Sequence, residues 1–486
     1  MASSALAAST REPAIGRDSD TRGAGRTTVS AKSGGQSARS EPAHSLHFPR
    51  LLGRKLTIRG GPAIDGFPNV KLLSRDVIAV KVLADAGSKA VTLVITVVAA
   101  RRLNADPFGI LAFAMATGWL LAVATDAGLS MHLAREVARD RTRSYRLLLD
   151  VVALRAGLAF FAATVIALLT PALVPAHWRL QFIVIALAQL AGGVLETVAH
   201  YFRGVQRSEL ESLIVIVQRG VTLIWALVVL WFWRRLDYLA IALLVPALVA
   251  AVVAMVVATQ MSARDVDRSA AQHRLTPAAF VRNALPLGAG VLLSALYFRC
   301  DLYFIEHWHG VQPVGGYHAV FRLVEALRLL PAAVLAVLFP VLVQSTDAML
   351  VKRVGAALTG VGVALALLGG VGASWLVPAI YGDAFAYASP AFAILCLALP
   401  LFFLNYALTH QVIGWDGQYA YLVIAAAALV ANIAANLALV PSQGLVGAAI
   451  STVLTEVVVT AGCLYALSVR SGVLSRPAVS PRVEPL

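Results

Sequence analysis

Apolar residues in this chain come in runs of twenty or more, and polar residues gather into short connections between the runs. Residues 156–178, 354–382 and 384–415 contain no Asp, Glu, Lys or Arg. Each run outlasts the ~20 residues that a helix needs to cross the hydrocarbon core of a bilayer. The pattern predicts helices over 79–101, 107–129, 146–170, 180–201, 211–233, 236–259, 283–305, 316–343, 354–379, 388–411, 419–440 and 445–468. The expected fold is therefore an all-α polytopic membrane protein with about twelve spans. The longest internal polar connection, 261–282, parts six helices from six, and a four-residue echo supports that division. Asp106-Pro-Phe-Gly109 opens the second helix and Gln312-Pro-Val-Gly315 opens the eighth. Paired halves of this kind place the substrate site between them in many transporters. The expected organisation is a disordered basic tail at 1–75, a six-helix lobe at 76–260, an inter-lobe loop at 261–282, a second lobe at 283–470 and a tail at 471–486.

Charge then orients the chain. Of 486 residues 59% are hydrophobic and 14% charged, with a net charge of +14 that in a soluble protein would suggest nucleic acid. Beyond the first 75 residues, the loops on the side of the termini carry sixteen Lys and Arg. The opposite loops hold only Arg101, Arg102, Arg179, Arg234 and Arg235. The excess of basic loops marks the cytoplasmic face, so both termini are expected there, and no nucleic-acid partner is needed to explain the charge. The connections on the other face are short, which speaks against a membrane enzyme carrying its catalytic groups in outer loops. The three cysteines lie far apart within apolar spans, and the His307–His309 pair has no accompanying cluster of acids or thiols, so no metal site is expected.

The informative residues are the charges inside apolar sequence. Residues 294–341 read as two spans joined by a short loop containing Pro313, Gly315 and Gly316. The first carries Arg299, Asp301 and Glu306, the second Arg322, Glu325 and Arg328. An ionised side chain at bilayer depth costs roughly 2.5–3.5 kcal/mol on insertion scales and normally faces a partner or a watery passage. Guanidinium forks match phosphate oxygens, so Arg299, Arg322 and Arg328 are candidate phosphate ligands; the competing reading is a structural Arg–Glu pair. Lys89, Arg155 and Arg219 are further candidate cations of the same passage. Asp85, Asp126, Glu196, Asp301 and Glu325 are candidates for ion coupling or for pairing with those cations. Asn432 and Asn436 share a helix face and are expected to bond between helices.

Several stretches resemble the polysaccharide transporters of the MOP exporter superfamily. They are PFGILAFAMATGWLLAVATDAGLSMHLAREVAR at 107–139, YFRGVQRSE at 201–209, the block around 285–342, Val377-Pro-Ala-Ile-Tyr-Gly382, and Asn436 to Glu456. The resemblance implies two six-helix lobes forming a V, a cationic central cavity and alternating access, with Arg299, Asp301, Arg322 and Glu325 at cavity positions. It further implies a non-enzymatic flippase that moves an undecaprenyl-pyrophosphate-linked oligosaccharide across the bacterial inner membrane. No cofactor is expected, coupling to protons or sodium is left open, and polysaccharide polymerase machinery is an expected partner. Two alternatives stand beside it: a cation-coupled drug exporter on the same fold, and a polymerase or glycosyltransferase working on the same lipid.

Overall fold

The computed structural model describes residues 75–141, 144–265, 288–331, 334, 348–414 and 417–474, with side chains described over 87–141, 144–261, 288–331, 334, 353–414 and 417–469. The expected first tail up to residue 74, residues 266–282 of the expected connection and 475–486 of the expected second tail lie outside the described residues. Every regular element among those described is helical.

In the first half these are α1 (Arg75–Arg102), α2 (Ala105–Asp126), α3 (Leu129–Arg139), α4 (Ser144–Leu173), α5 (Arg179–Gly204), α6 (Ser208–Phe232) and α7 (Leu236–Asp265). The second half contains α8 (288–297), α9 (Asp301–His309), α10 (Val311–Leu327), α11 (Ala348–Tyr381), α12 (Ser389–Leu397), α13 (Leu399–Gly414) and α14 (Gln418–Leu474). By length and composition, eight of the described helices, or nine if the bent pair 383–414 is one span, suit a bilayer crossing. That tally stops short of twelve partly because α14 counts once. It turns at Gly444, and Asn432 bonding to Ser451 and Thr455 shows its two arms folded back on each other.

Three local readings change. The helix expected to end at 129 stops at Asp126, where Ala127 and Gly128 turn left-handed. The basic segment after it is no loop but α3, which buries Leu129, Leu133 and Val137 and exposes Arg135 and Arg139. Likewise the Pro313–Gly316 segment is not a loop. Only Gly310, at φ 81°, separates α9 from α10, a turn open mainly to glycine. Pro313 then sits in the first turn of α10, where its missing N–H costs nothing.

The small residues of the repeated motif have a tertiary use. Gly109 and Gly315 lie against each other, so that a Cβ at Gly315 would stand 3.2 Å from the Gly109 Cα and 2.9 Å from the Phe108 ring. A Cβ at Gly109 would overlap the Val311 carbonyl. The two echoes in sequence are thus a single contact in space, where α2 crosses α10. Around it Phe108 meets Phe385 edge-on at 5.4 Å, and Arg101 of α1 donates to the Ile380 carbonyl at 2.6 Å and to that of Ala379. We expect Gly109→Leu to destabilise the folded protein by about 1–3 kcal/mol through overpacking. Gly360→Ala, with nothing within 4 Å, should leave the thermal melt in detergent unchanged.

Candidate functional site

The charged hairpin is a pair of broken helices. Residues 298–300 form a turn between α8 and α9, and Arg299 sits in it. Arg328 stands where α10 stops, since that helix begins at Val311, five residues before its expected start. Non-helical backbone within apolar spans is tolerated where it lines a protein-enclosed or watery site.

One carboxylate organises the centre. Glu325 accepts from Arg299 Nη2 at 2.6 Å through Oε1 and from Arg322 Nη1 at 2.8 Å through Oε2. Arg322 also donates from Nε to His318 Nε2 at 3.2 Å, a contact set up by their i, i+4 spacing on α10. Arg299 is only 5% exposed and lies against the rings of Phe321, Phe298 and Trp119, 5.1–5.7 Å away. The Arg328 guanidinium lies between Phe298 and Phe402, 4.5 and 4.3 Å from the ring centres, with no carboxylate in ion-pair contact among the described residues. Glu325 nevertheless feels all three arginines. Two guanidinium groups thus pair with one acid, leaving a positive charge in excess beside Arg328, which is held by rings. From the first half Arg219 of α6 adds another, within electrostatic reach of Arg322 and of Glu196 on α5. Arg219 Nε and Arg299 Nε are buried donors without an acceptor. Such donors are costly unless a ligand or water satisfies them.

Asp301, the first residue of α9 directly after the break, belongs to a separate polar nest. It is 1% exposed and accepts from Asn436 Nδ2 at 2.8 Å, Tyr317 at 2.9 Å and Thr452 at 3.0 Å. Asn436 bonds on to Asn432, and Asn432 to Thr455, which is the interhelical role expected of both asparagines. Asn436 Oδ1 is buried without a donor.

Arg155 is elsewhere and self-sufficient. It is 1% exposed on α4, pairs with Asp126 at the end of α2, and donates to Ser130 of α3 at 2.7 Å and Thr197 of α5 at 2.6 Å. Gly193 makes room for it, since a Cβ there would lie 2.9 Å from Arg155 Nη2. The two residues expected as a passage cation and a coupling acid therefore neutralise each other and tie four helices together. Lys89 is exposed on α1, and the side chain of Asp85 lies outside the described residues. His309 donates to the Val440 carbonyl at 2.8 Å, a packing role for half of the His pair. Sequence reasoning passed over His318 and the aromatic walls. The i, i+4 step from His318 to Arg322 was the available signal for the first; nothing along the chain marks Phe298 or Phe402.

Comparison with known proteins adds the following. The family model described as polysaccharide biosynthesis protein matches residues 75–346. Among solved structures, an inward-facing multidrug resistance MATE family transporter of the MOP superfamily aligns with TM-score 0.60 and 14% identity, over 80% of this chain and 96% of that one. The lipid II flippase MurJ, in an inward closed conformation, aligns with TM-score 0.58 and 10% identity, over 80% and 87%. A MOP superfamily transporter from Pyrococcus furiosus, with a binding pocket of reverse polarity, gives 0.52 and 14%, over 82% and 96%. At these identities the likeness is one of fold. No curated protein matches the sequence.

Removing one member of the Arg155–Asp126 pair strands the other. Arg155→Met should cost about 3 kcal/mol in thermal unfolding, and Asp126→Leu in the same chain should recover most of it.

Proposed function

The chain belongs to the polysaccharide biosynthesis protein family and has the fold of MOP-superfamily transporters, and from that premise we propose that it flips a lipid-linked oligosaccharide across the bacterial inner membrane. The observation that carries this reading is the unbalanced charge at the hairpin. Arg299 and Arg322 share Glu325, Arg328 is held by aromatic rings, and Arg219 and Arg299 each keep a buried N–H without an acceptor. A pyrophosphate offers oxygens enough to satisfy those donors and negative charge to offset the excess. Bidentate guanidinium contacts would stand in for the water that the anion gives up. The sugars would travel with the pyrophosphate inside the protein while the polyprenyl chain stays in lipid. Undecaprenyl pyrophosphate is the carrier we propose, both termini are taken as cytoplasmic, and the polymerase that extends the glycan is the natural partner.

The contacts assigned to the anion are Arg219, Arg299, Arg322 and Arg328. Arg155 is not among them, because Asp126, Ser130 and Thr197 already use its donors. The same pair weakens the drug-exporter alternative by taking Asp126 from the first-half acids, Asp85, Asp126 and Glu196, on which a cation would bind. The short turns at Leu103–Asn104 and Gly310 offer little backbone for outer catalytic groups, so a transporter fits better than an enzyme.

Asp301 is the acid proposed for coupling. It has three hydrogen-bond donors and no cation among the described residues, and the Asn436 Oδ1 beside it lacks a donor. Sodium or a proton would complete this oxygen-rich nest.

The test uses purified protein in liposomes and a fluorescent undecaprenyl-pyrophosphate oligosaccharide. Arg322→Ala and Arg328→Ala should each slow flipping at least tenfold, and wild-type rates in both would overturn the anion contact. Asp301→Asn should abolish dependence on an imposed sodium or proton gradient while probe binding persists.

A further inference from the structure

Residues 108–120 of α2 are buried with one exception, Trp119, which is 37% exposed. Around it α2 packs against α1, α4, α5, α7 and α10. The Trp119 ring itself meets the buried Arg299, whose guanidinium lies 5.7 Å from the ring centre. A ring left open on so enclosed a helix, with a buried cation against it, faces a gap inside the protein rather than lipid. Trp119 thus brings an aromatic surface of the first half to the arginine that the anion would occupy.

Its neighbours fix that position. Two residues earlier Thr117 accepts from Tyr303 of α9 at 2.9 Å, so the halves touch there. Gly118 holds α2 against α5, because a Cβ on it would stand 2.7 Å from the Ala186 Cα and 2.9 Å from the Gln189 Cβ. The half-buried Gln189 therefore stands beside the Trp119 position. Three residues on, along the same face of α5, a Cβ at Gly192 would meet nothing within 4 Å, so that face opens onto free space. Neither the indole N–H of Trp119 nor the amide of Gln189 makes a hydrogen bond among the described residues.

A flat apolar ring, an N–H and a carboxamide beside open space suit a pyranose. The C–H face of such a sugar lies on an indole, and its hydroxyls can both accept and donate. Arg299 repels a cationic guest, and a polyprenyl chain would leave the N–H and the amide without partners. The cargo of the anion-transport reading, on which this inference rests, has the matching connectivity. In a glycosyl pyrophosphate the first sugar hangs from phosphorus through a single oxygen, so a phosphate on Arg299 brings that ring to Trp119. We propose that Trp119 and Gln189 form a subsite for the sugar joined directly to the pyrophosphate. α2 and α5 then hold the sugar while the hairpin of the second half holds the phosphate.

Two probes separate sugar from phosphate: farnesyl pyrophosphate, and the same molecule capped with N-acetylglucosamine. Each is titrated into the purified protein by calorimetry. Wild type should bind the capped probe about five- to tenfold more tightly than the bare one. Trp119→Leu should lose that preference yet bind the bare probe within about twofold of wild type, which also shows that the variant folds. Trp119→Tyr keeps an aromatic face and should keep most of the preference. Gln189→Leu should weaken the capped probe alone, by about threefold. Equal affinity of wild type for both probes overturns the sugar subsite and leaves the anion passage standing. Equal weakening of both in Trp119→Leu also overturns it and makes the ring a support for Arg299. A full preference retained in either leucine variant removes that residue from the subsite. Wild type that binds neither probe refutes the anion passage, and the subsite falls with it.

Discussion

Glu325 divided between Arg299 and Arg322 is the interaction on which the centre of this protein turns. A lone guanidinium among apolar helices is expensive, and a matched pair would be electrically silent. One acid between two arginines, with a third held by aromatic faces, escapes both outcomes. The arginines are oriented and partly paid for, yet the group keeps its excess positive charge. Each of the three occupies a place that its backbone provides: Arg299 a break in the chain, Arg328 a helix end, Arg322 the step after His318.

The first half answers the same problem differently. Arg155 and Asp126 cancel, hydroxyls of Ser130 and Thr197 share the same Nη1, and Nη2 donates to the Ala122 carbonyl, so the cluster behaves as a fastener for α2 through α5. Charge in the membrane is thus put to two uses within one chain. The difference lies in stoichiometry, one acid per arginine in the fastener and one for the two paired arginines at the hairpin. The halves meet where Gly109 and Gly315 permit α2 and α10 to cross with backbone nearly in contact.

Much of this was legible before any coordinates. The apolar runs announced the helices, and the paired Pro–Gly motifs and the charged hairpin pointed to residues that the fold brings into contact. Errors fell where local signals carry two meanings. Pro313 and the glycines behind it look like a loop, yet proline suits the first turn of a helix and glycine suits a close crossing. The basic stretch after 128 looks like a connection, yet Leu129, Leu133 and Val137 form one buried stripe of α3. Burial of Arg155 gave no hint of its partner, because Asp126 lies 29 residues away and nothing in the intervening chain couples them.

Hydropathy by itself determined the class of this protein, because the thickness of a bilayer imposes a length on every apolar run. It also determined which residues would be in electrostatic difficulty, since a charge within such a run cannot escape to water. Tertiary structure alone decided how each difficulty was resolved. Which arginine meets which acid depends on helix crossings between residues that are distant in sequence, and a Coulomb interaction is set by distance and surroundings rather than by chain order.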